Sequence, residues 1–94
     1  MNGRTLKSTE VLDLTTMAFT PGPEMQQARS HCAAVALDEH RVLVVGGEQH
    51  ESKMSSTEVL NLKTMQFETG PTMQIARRAC TATRSDAQRV IVLG

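Results

Sequence analysis

The segment STEVLDLTTMAFTPGPEM, Ser8 to Met25, returns as STEVLNLKTMQFETGPTM, Ser56 to Met73. The offset is 48 residues and stays at 48 beyond the quoted stretches, from Arg29 to Arg77, Cys32 to Cys80 and Gly46 to Gly94. A chance resemblance would drift in register. A chain of 94 residues with a fixed period of 48 has room for little else, so its fold must be one supersecondary unit used about twice.

Within one period the unit reads as strands. SHCAAVAL alternates His31, Ala33, Val35 and Leu37 with Cys32, Ala34 and Ala36, the period-two pattern of a strand. Asp38, Glu39 and His40 are of hairpin-loop length, and RVLVV after them is β-branched and apolar on both faces, as a strand covered on two sides should be. Gly46-Gly47 ends it. EQHESKMS is polar and aperiodic and is predicted to be a loop. TEVLNL reads as a third strand carrying Val59, Leu60 and Leu62, Lys63 to Met65 turn the chain, and a short fourth strand around Gln66 to Glu68 carries Phe67 and stops at Gly70-Pro71. The expected fold class is therefore all-β, four antiparallel strands per period. Residues 1–25 supply strands three and four of one unit, 26–73 a complete unit, and 74–94 strands one and two of the next.

Repeats of about 40 to 50 residues with four short strands are the signature of propeller blades. The Gly46-Gly47 pair after an apolar strand, the STEVLNL strand, the aromatic Phe67, then GP-x-M and Arg77 occur in the order of the kelch family, which this chain resembles over nearly its whole length. The family usually carries Tyr and Trp where this chain has Leu60 and Phe67, and Leu12 and Phe19 in the other copy. The resemblance implies a β-propeller. Inner strands of a tapering blade should be small, and Cys32, Ala33, Ala34 and Ala36 comply, as do Ala79, Cys80, Thr81, Ala82 and Thr83. A closed ring of four to eight blades needs on the order of 190 to 390 residues. The chain thus reads as an incomplete propeller, completed by further kelch blades in cis or by assembly with copies of itself, because its half units are complementary.

Charge and composition exclude several function classes. Ten basic residues balance ten acidic ones, and the aromatics are Phe19 and Phe67 alone, so neither a basic field nor a stacking platform for nucleic acid is present. The run Val42 to Val45 is far short of the roughly 18 residues of a membrane span. MNGRTLKSTEV lacks the apolar core of a secretory signal, which predicts a cytoplasmic location.

No chemistry-bearing constellation stands out. Glu48 follows Gly46-Gly47 where a phosphate loop needs Lys and Ser or Thr, so those glycines serve backbone geometry. Cys32 and Cys80 occupy equivalent places and are expected to be reduced, small buried hydrophobes. His31 and Cys32 are adjacent and point to opposite faces, while His40 and His50 lie in loops, so no metal site is expected. No nucleophile comes with a base and an orienting acid, and no cofactor is implied. Arg29 and Arg77 recur at the entry to strand one and Glu10 and Glu58 within strand three, a pattern expected of charge-assisted hydrogen bonds within or between blades.

The two copies differ most between strands two and three, where MNGRTLK stands against QHESKMS. Divergent loops on a preserved scaffold suit partner binding, and in an up-and-down blade this loop shares a face with the segment joining strand four to the next strand one. Arg4, Lys7, Gln49, His50, Glu51 and Lys53, with Gln26, Gln27 and Gln74, are the candidate binding residues. The expected role is a non-enzymatic protein-interaction scaffold with a protein partner. The alternatives are the structural part of a larger kelch-type enzyme, oxidase-like, whose active site lies elsewhere, or an inactive fragment. A copper radical oxidase of that architecture uses tyrosine, and this chain has none.

Overall fold

The computed structural model describes residues 5–94, and these contain ten strands and no helix. The central element is a four-stranded antiparallel sheet in the order β3 (Ala33–Ala36), β4 (Arg41–Val45), β7 (Thr57–Asn61) and β8 (Gln66–Thr69). Two antiparallel pairs flank it, β1 (Glu10–Asp13) with β2 (Ala18–Pro21) and β9 (Thr81–Asp86) with β10 (Arg89–Leu93). One complete four-stranded unit thus stands between two half units, the all-β arrangement expected from the repeat. Arg4 lies outside the described residues.

The 48-residue period reappears in the hydrogen bonds. Asp13 Oδ1 accepts from the backbone N–H of Thr15, and Asn61 Oδ1 accepts from that of Lys63. Thr9 and Thr57 each donate a hydroxyl to a proline carbonyl, Pro23 and Pro71, at 2.6 Å. Met17 and Met65 both turn the chain with positive φ, 57° and 56°. These bonds lie within one hairpin or between a strand and its own exit segment, so they form identically in the complete blade and in a half blade.

Two strand boundaries and one loop differ from the expectation for a local reason. Strand one begins at Ala33 rather than Ser30, because His31 is left-handed (φ 57°), as is its counterpart Ala79 (φ 51°). That bend allows Ala79 N–H to donate to the His31 carbonyl at 2.7 Å, tying the third blade to the second. Strand three ends at Asn61 rather than Leu62, because the Asn61 side chain already caps the turn. The segment expected to be a plain loop folds into a miniature hairpin, β5 (Glu48–Gln49) with β6 (Ser52–Lys53). Its two turn residues, His50 (φ 52°) and Glu51 (φ 66°), both have positive φ, the requirement of a tight two-residue turn. Asn and Gly usually signal such a turn, and neither is present here.

The core is thin and sits where blades meet. The buried apolar side chains among the described residues are Met25, Val44, Val45, Met54 and Cys80. Val45 is fully covered, since β4 is paired on both edges and the start of the next blade lies over it, with the Cys80 thiol 3.9 Å from the Val45 carbonyl. Cys80 is accordingly a free, buried thiol. Cys32 is free but exposed, which corrects the expectation that both are buried. No strand equivalent to β4 precedes its unit among the described residues, so the Cys32 thiol lacks the carbonyl that Val45 offers Cys80. Partial desolvation beside Gly47 nevertheless pushes the Cys32 thiol pKa up, which keeps it protonated at neutral pH. Phe19 is likewise 63% exposed, whereas Phe67 is half-buried.

Candidate functional site

Two features of the molecule stand out: a buried polar joint between consecutive blades, and an open groove beside it. The joint starts from Glu58 on β7 and Arg29 in the segment that leads from the first half blade into β3. Their side chains meet at 3.1 Å, Arg29 Nε donating to Glu58 Oε2, with both residues almost completely buried at 4% and 1% exposure. An ion pair this deep survives only if its remaining donors and acceptors are also met. They are. Glu58 accepts from the backbone N–H of Gln26 at 2.6 Å and of Gln27 at 3.0 Å, while Arg29 Nη1 donates to the carbonyls of Gly46 (2.8 Å) and Ser56 (2.9 Å). Arg29 Nη2 completes the set through Ser56 Oγ (3.0 Å) and Gln27 Oε1 (3.3 Å). No buried side-chain nitrogen or oxygen among the described residues lacks a partner.

This joint stitches three parts of the chain: the segment leaving β2, the end of β4 and the start of β7. Gly46 and Gly47 make the stitch sterically possible. Both have positive φ, 62° and 109°, and a Cβ would stand 2.5 Å from the Arg77 carbonyl at Gly46 and 2.8 Å from the Ser30 carbonyl at Gly47. Only glycine lets the backbone of the neighbouring segments approach so closely. Gly47 N–H donates to the Arg77 carbonyl at 2.8 Å, so the same pair also holds the following blade.

The repeat partners behave differently. Arg77 Nη1 donates to the Gly94 carbonyl at 2.8 Å, reproducing the Arg29–Gly46 bond, but no carboxylate faces Arg77 among the described residues. Glu10 lies exposed on β1 with no ion pair among those residues. Repetition had pointed to all four charges, and Ser56 was readable in the same way from its counterpart Ser8. Gln27 was not, since its counterpart is Ile75. A second inter-blade pair, Arg78 Nη1 to Glu48 Oε1 at 3.2 Å with His31 Nδ1 3.7 Å from the same oxygen, also left no repeat signal, because Ser30 stands where Arg78 has its counterpart.

The groove has a volume of about 500 Å3 and is lined in part by Leu6, Lys7, Glu24, Gln26, Gln27 and Gln49. Four of the candidate binding residues, Lys7, Gln26, Gln27 and Gln49, thus come together. They arrive from the loop between strands two and three of two consecutive units and from the segment joining strand four to strand one, which here share one face. The two glutamines also have structural work: Gln26 Nε2 donates to the Phe67 carbonyl (3.3 Å) and its Oε1 accepts from Thr69 Oγ1 (2.9 Å), while Gln27 Oε1 accepts from Ser56 Oγ (2.8 Å). His50, Glu51 and Lys53 are exposed at or beside the tip of the β5–β6 hairpin and do not line the groove, and Gln74 is exposed in the segment after β8. No group of three His, Cys, Asp or Glu side chains is placed to hold an ion among the described residues. No helix there is long and apolar enough to cross a membrane.

A four-stranded antiparallel sheet flanked by half sheets at a 48-residue period, joined through a glycine pair and a buried Arg–Glu bridge, defines blade repeats of the propeller type. The family model described as the Kelch motif matches residues 28–74, half of the chain, and the protein belongs to the kelch-repeat family. No curated protein matches the chain.

Proposed function

We propose that this chain is a non-enzymatic protein-interaction scaffold that engages a protein partner through the face carrying the groove and the β5–β6 hairpin. The observation that carries this reading is the meeting of the least repetitive segments of the chain on one face. Lys7, Gln49 and the hairpin tip differ between the copies, yet they stand on the most strictly repeated framework. Leu6, 52% exposed, gives the groove an apolar patch, and Lys7 and Glu24 give it charges of opposite sign. Such a mixture suits a polypeptide surface better than a polyanion.

The test compares two variants of the full chain as bait. Replacing Gln49 to Lys53 with Gly and Ser removes the hairpin; a control carries His40→Ala and Lys63→Ala at turns on the opposite end of the blade. Partner capture should be lost with the first and kept with the second. Equal capture by wild type and both variants would move the binding face elsewhere and end the proposal.

A further inference from the structure

We infer that the end of the blades opposite the groove carries a second site, one for a small organic phosphate monoester, between the β3–β4 and β9–β10 turns. There β3 and β9 lie side by side, and the two turns border a cavity of about 390 Å3 with apolar walls from Leu37, Ala87 and Val90. That volume suits a small ligand. Three arginines line the same cavity: Arg41 from one turn, Arg89 from the equivalent place 48 residues on, and Arg84 from β9. Repetition accounts for the first two. Arg84 is different, because Ala36 stands at its counterpart in β3, so the third guanidinium is peculiar to the gap between these two turns.

The nearby carboxylates are already engaged. Asp38 accepts from His40 N–H and Arg41 Nε, Asp86 accepts from Gln88 N–H and Arg89 Nη1, and neither acid lines the cavity. Glu39, exposed in the first turn, does not line it either, and its counterpart in the second turn is Ala87. Arg84 makes one long bond, Nε to the Asp86 carbonyl at 3.4 Å, and no carboxylate pairs with it among the described residues. A guanidinium carries five N–H donors, so the three side chains together hold far more donors than the protein acceptors they meet. A phosphate monoester matches that surplus better than a carboxylate does: it presents three terminal oxygens and up to two charges to donors arriving from three side chains. Its organic body then rests on Leu37, Ala87 and Val90. The Arg41 and Arg89 side chains are 55% and 74% exposed, so the ligand reaches them directly from solvent.

Amide NMR of the 94-residue chain titrated with phenyl phosphate tests the inference. Saturable shifts should concentrate at residues 37–41 and 84–90. Arg84→Gln leaves both Asp-capped turns intact and should weaken binding about tenfold, as expected for losing a hydrogen bond to a charged group. A spectrum unchanged away from the cavity shows that this variant folds. Lys7→Gln, in the groove at the other end, should bind like wild type, so the result stands apart from the partner-binding reading. Benzoate, which keeps the ring and replaces the phosphate with a carboxylate, should bind more weakly at equal ionic strength. The inference is overturned by an absence of saturable shifts, by equal shifts around Arg77 and Arg78, or by full affinity in Arg84→Gln. Weaker binding in Lys7→Gln, or benzoate binding as tightly as phenyl phosphate, would overturn it too.

Discussion

Arg29 and Arg77 occupy the same position in the repeat and make the same first bond, each donating from Nη1 to a glycine carbonyl at 2.8 Å. There the likeness stops. Arg29 goes on to bind a carboxylate, a second carbonyl, a hydroxyl and an amide in a site with almost no solvent, whereas Arg77 remains partly exposed with the single acceptor. The difference separates two kinds of interaction in a repeat protein. Those made inside a hairpin are copied wherever the sequence is copied; those made between units exist only where a neighbour stands, so their energy belongs to the interface and not to the repeat.

The largest effect should come from breaking the interior joint. Glu58→Ala leaves the Arg29 guanidinium buried without its counter-charge and strands the N–H groups of Gln26 and Gln27. Removing one member of a buried pair costs on the order of 3–5 kcal/mol, a large share of the stability of any small domain. Glu10→Ala, chemically the same change in the other copy, should leave the stability of the dilute, unassociated chain unaltered. Urea denaturation of both variants at low concentration checks the contrast, and equal losses would show that the buried joint has no special weight.

A smaller effect should separate two apolar positions at the ends of equivalent strands. Val45 closes β4 and is fully covered, while its counterpart Leu93 closes β10 and is more than half exposed. Val45→Ala should cost about 2 kcal/mol through lost burial, and Leu93→Ala should cost far less in the dilute chain despite removing more atoms. The same denaturation series reads both. If Leu93→Ala were the costlier change, the exposure of the terminal sheet would not describe the molecule in solution.

Legibility in the sequence followed the same division. The period gave away β4, β7 and the Arg–Glu joint, because residues that recur must satisfy the same geometry twice, and the blade class followed from the strands per period. The β5–β6 hairpin escaped because His50 and Glu51 take positive φ without the Asn or Gly that normally announces it. The part Gln27 plays in the joint and the Arg78–Glu48 pair escaped because they occur once, and single polar residues in loops carry no periodic signal. The exposure of Cys32 and Phe19 could not be read either: repetition makes two copies look alike, and only the placement of neighbouring strands distinguishes a covered copy from an uncovered one.

The smallest predicted effect tests the claim that hairpin-internal bonds ignore blade context. In the turn between β3 and β4, Asp38 Oδ1 accepts from His40 N–H at 2.8 Å and Oδ2 from Arg41 Nε at 2.9 Å; between β9 and β10, Asp86 accepts from Gln88 N–H and from Arg89 Nη1, both at 2.7 Å. The His40 N–H first, and then Arg41, hold the Asp38 carboxyl below the ordinary carboxylate range. A carboxyl whose folded pKa is depressed contributes stability above its unfolded pKa, and that contribution is lost as pH falls through the folded value. Asp38→Asn keeps the backbone cap, as Asn61 does in the outer turn, but cannot titrate. It should therefore lower stability slightly at neutral pH and flatten the acid limb of the stability curve, and Asp86→Asn should lower neutral-pH stability by a similar small amount despite sitting in a half blade. A clearly larger loss for one turn than for the other, read from urea midpoints at neutral pH, would mean that the neighbouring blade reaches into the hairpin after all.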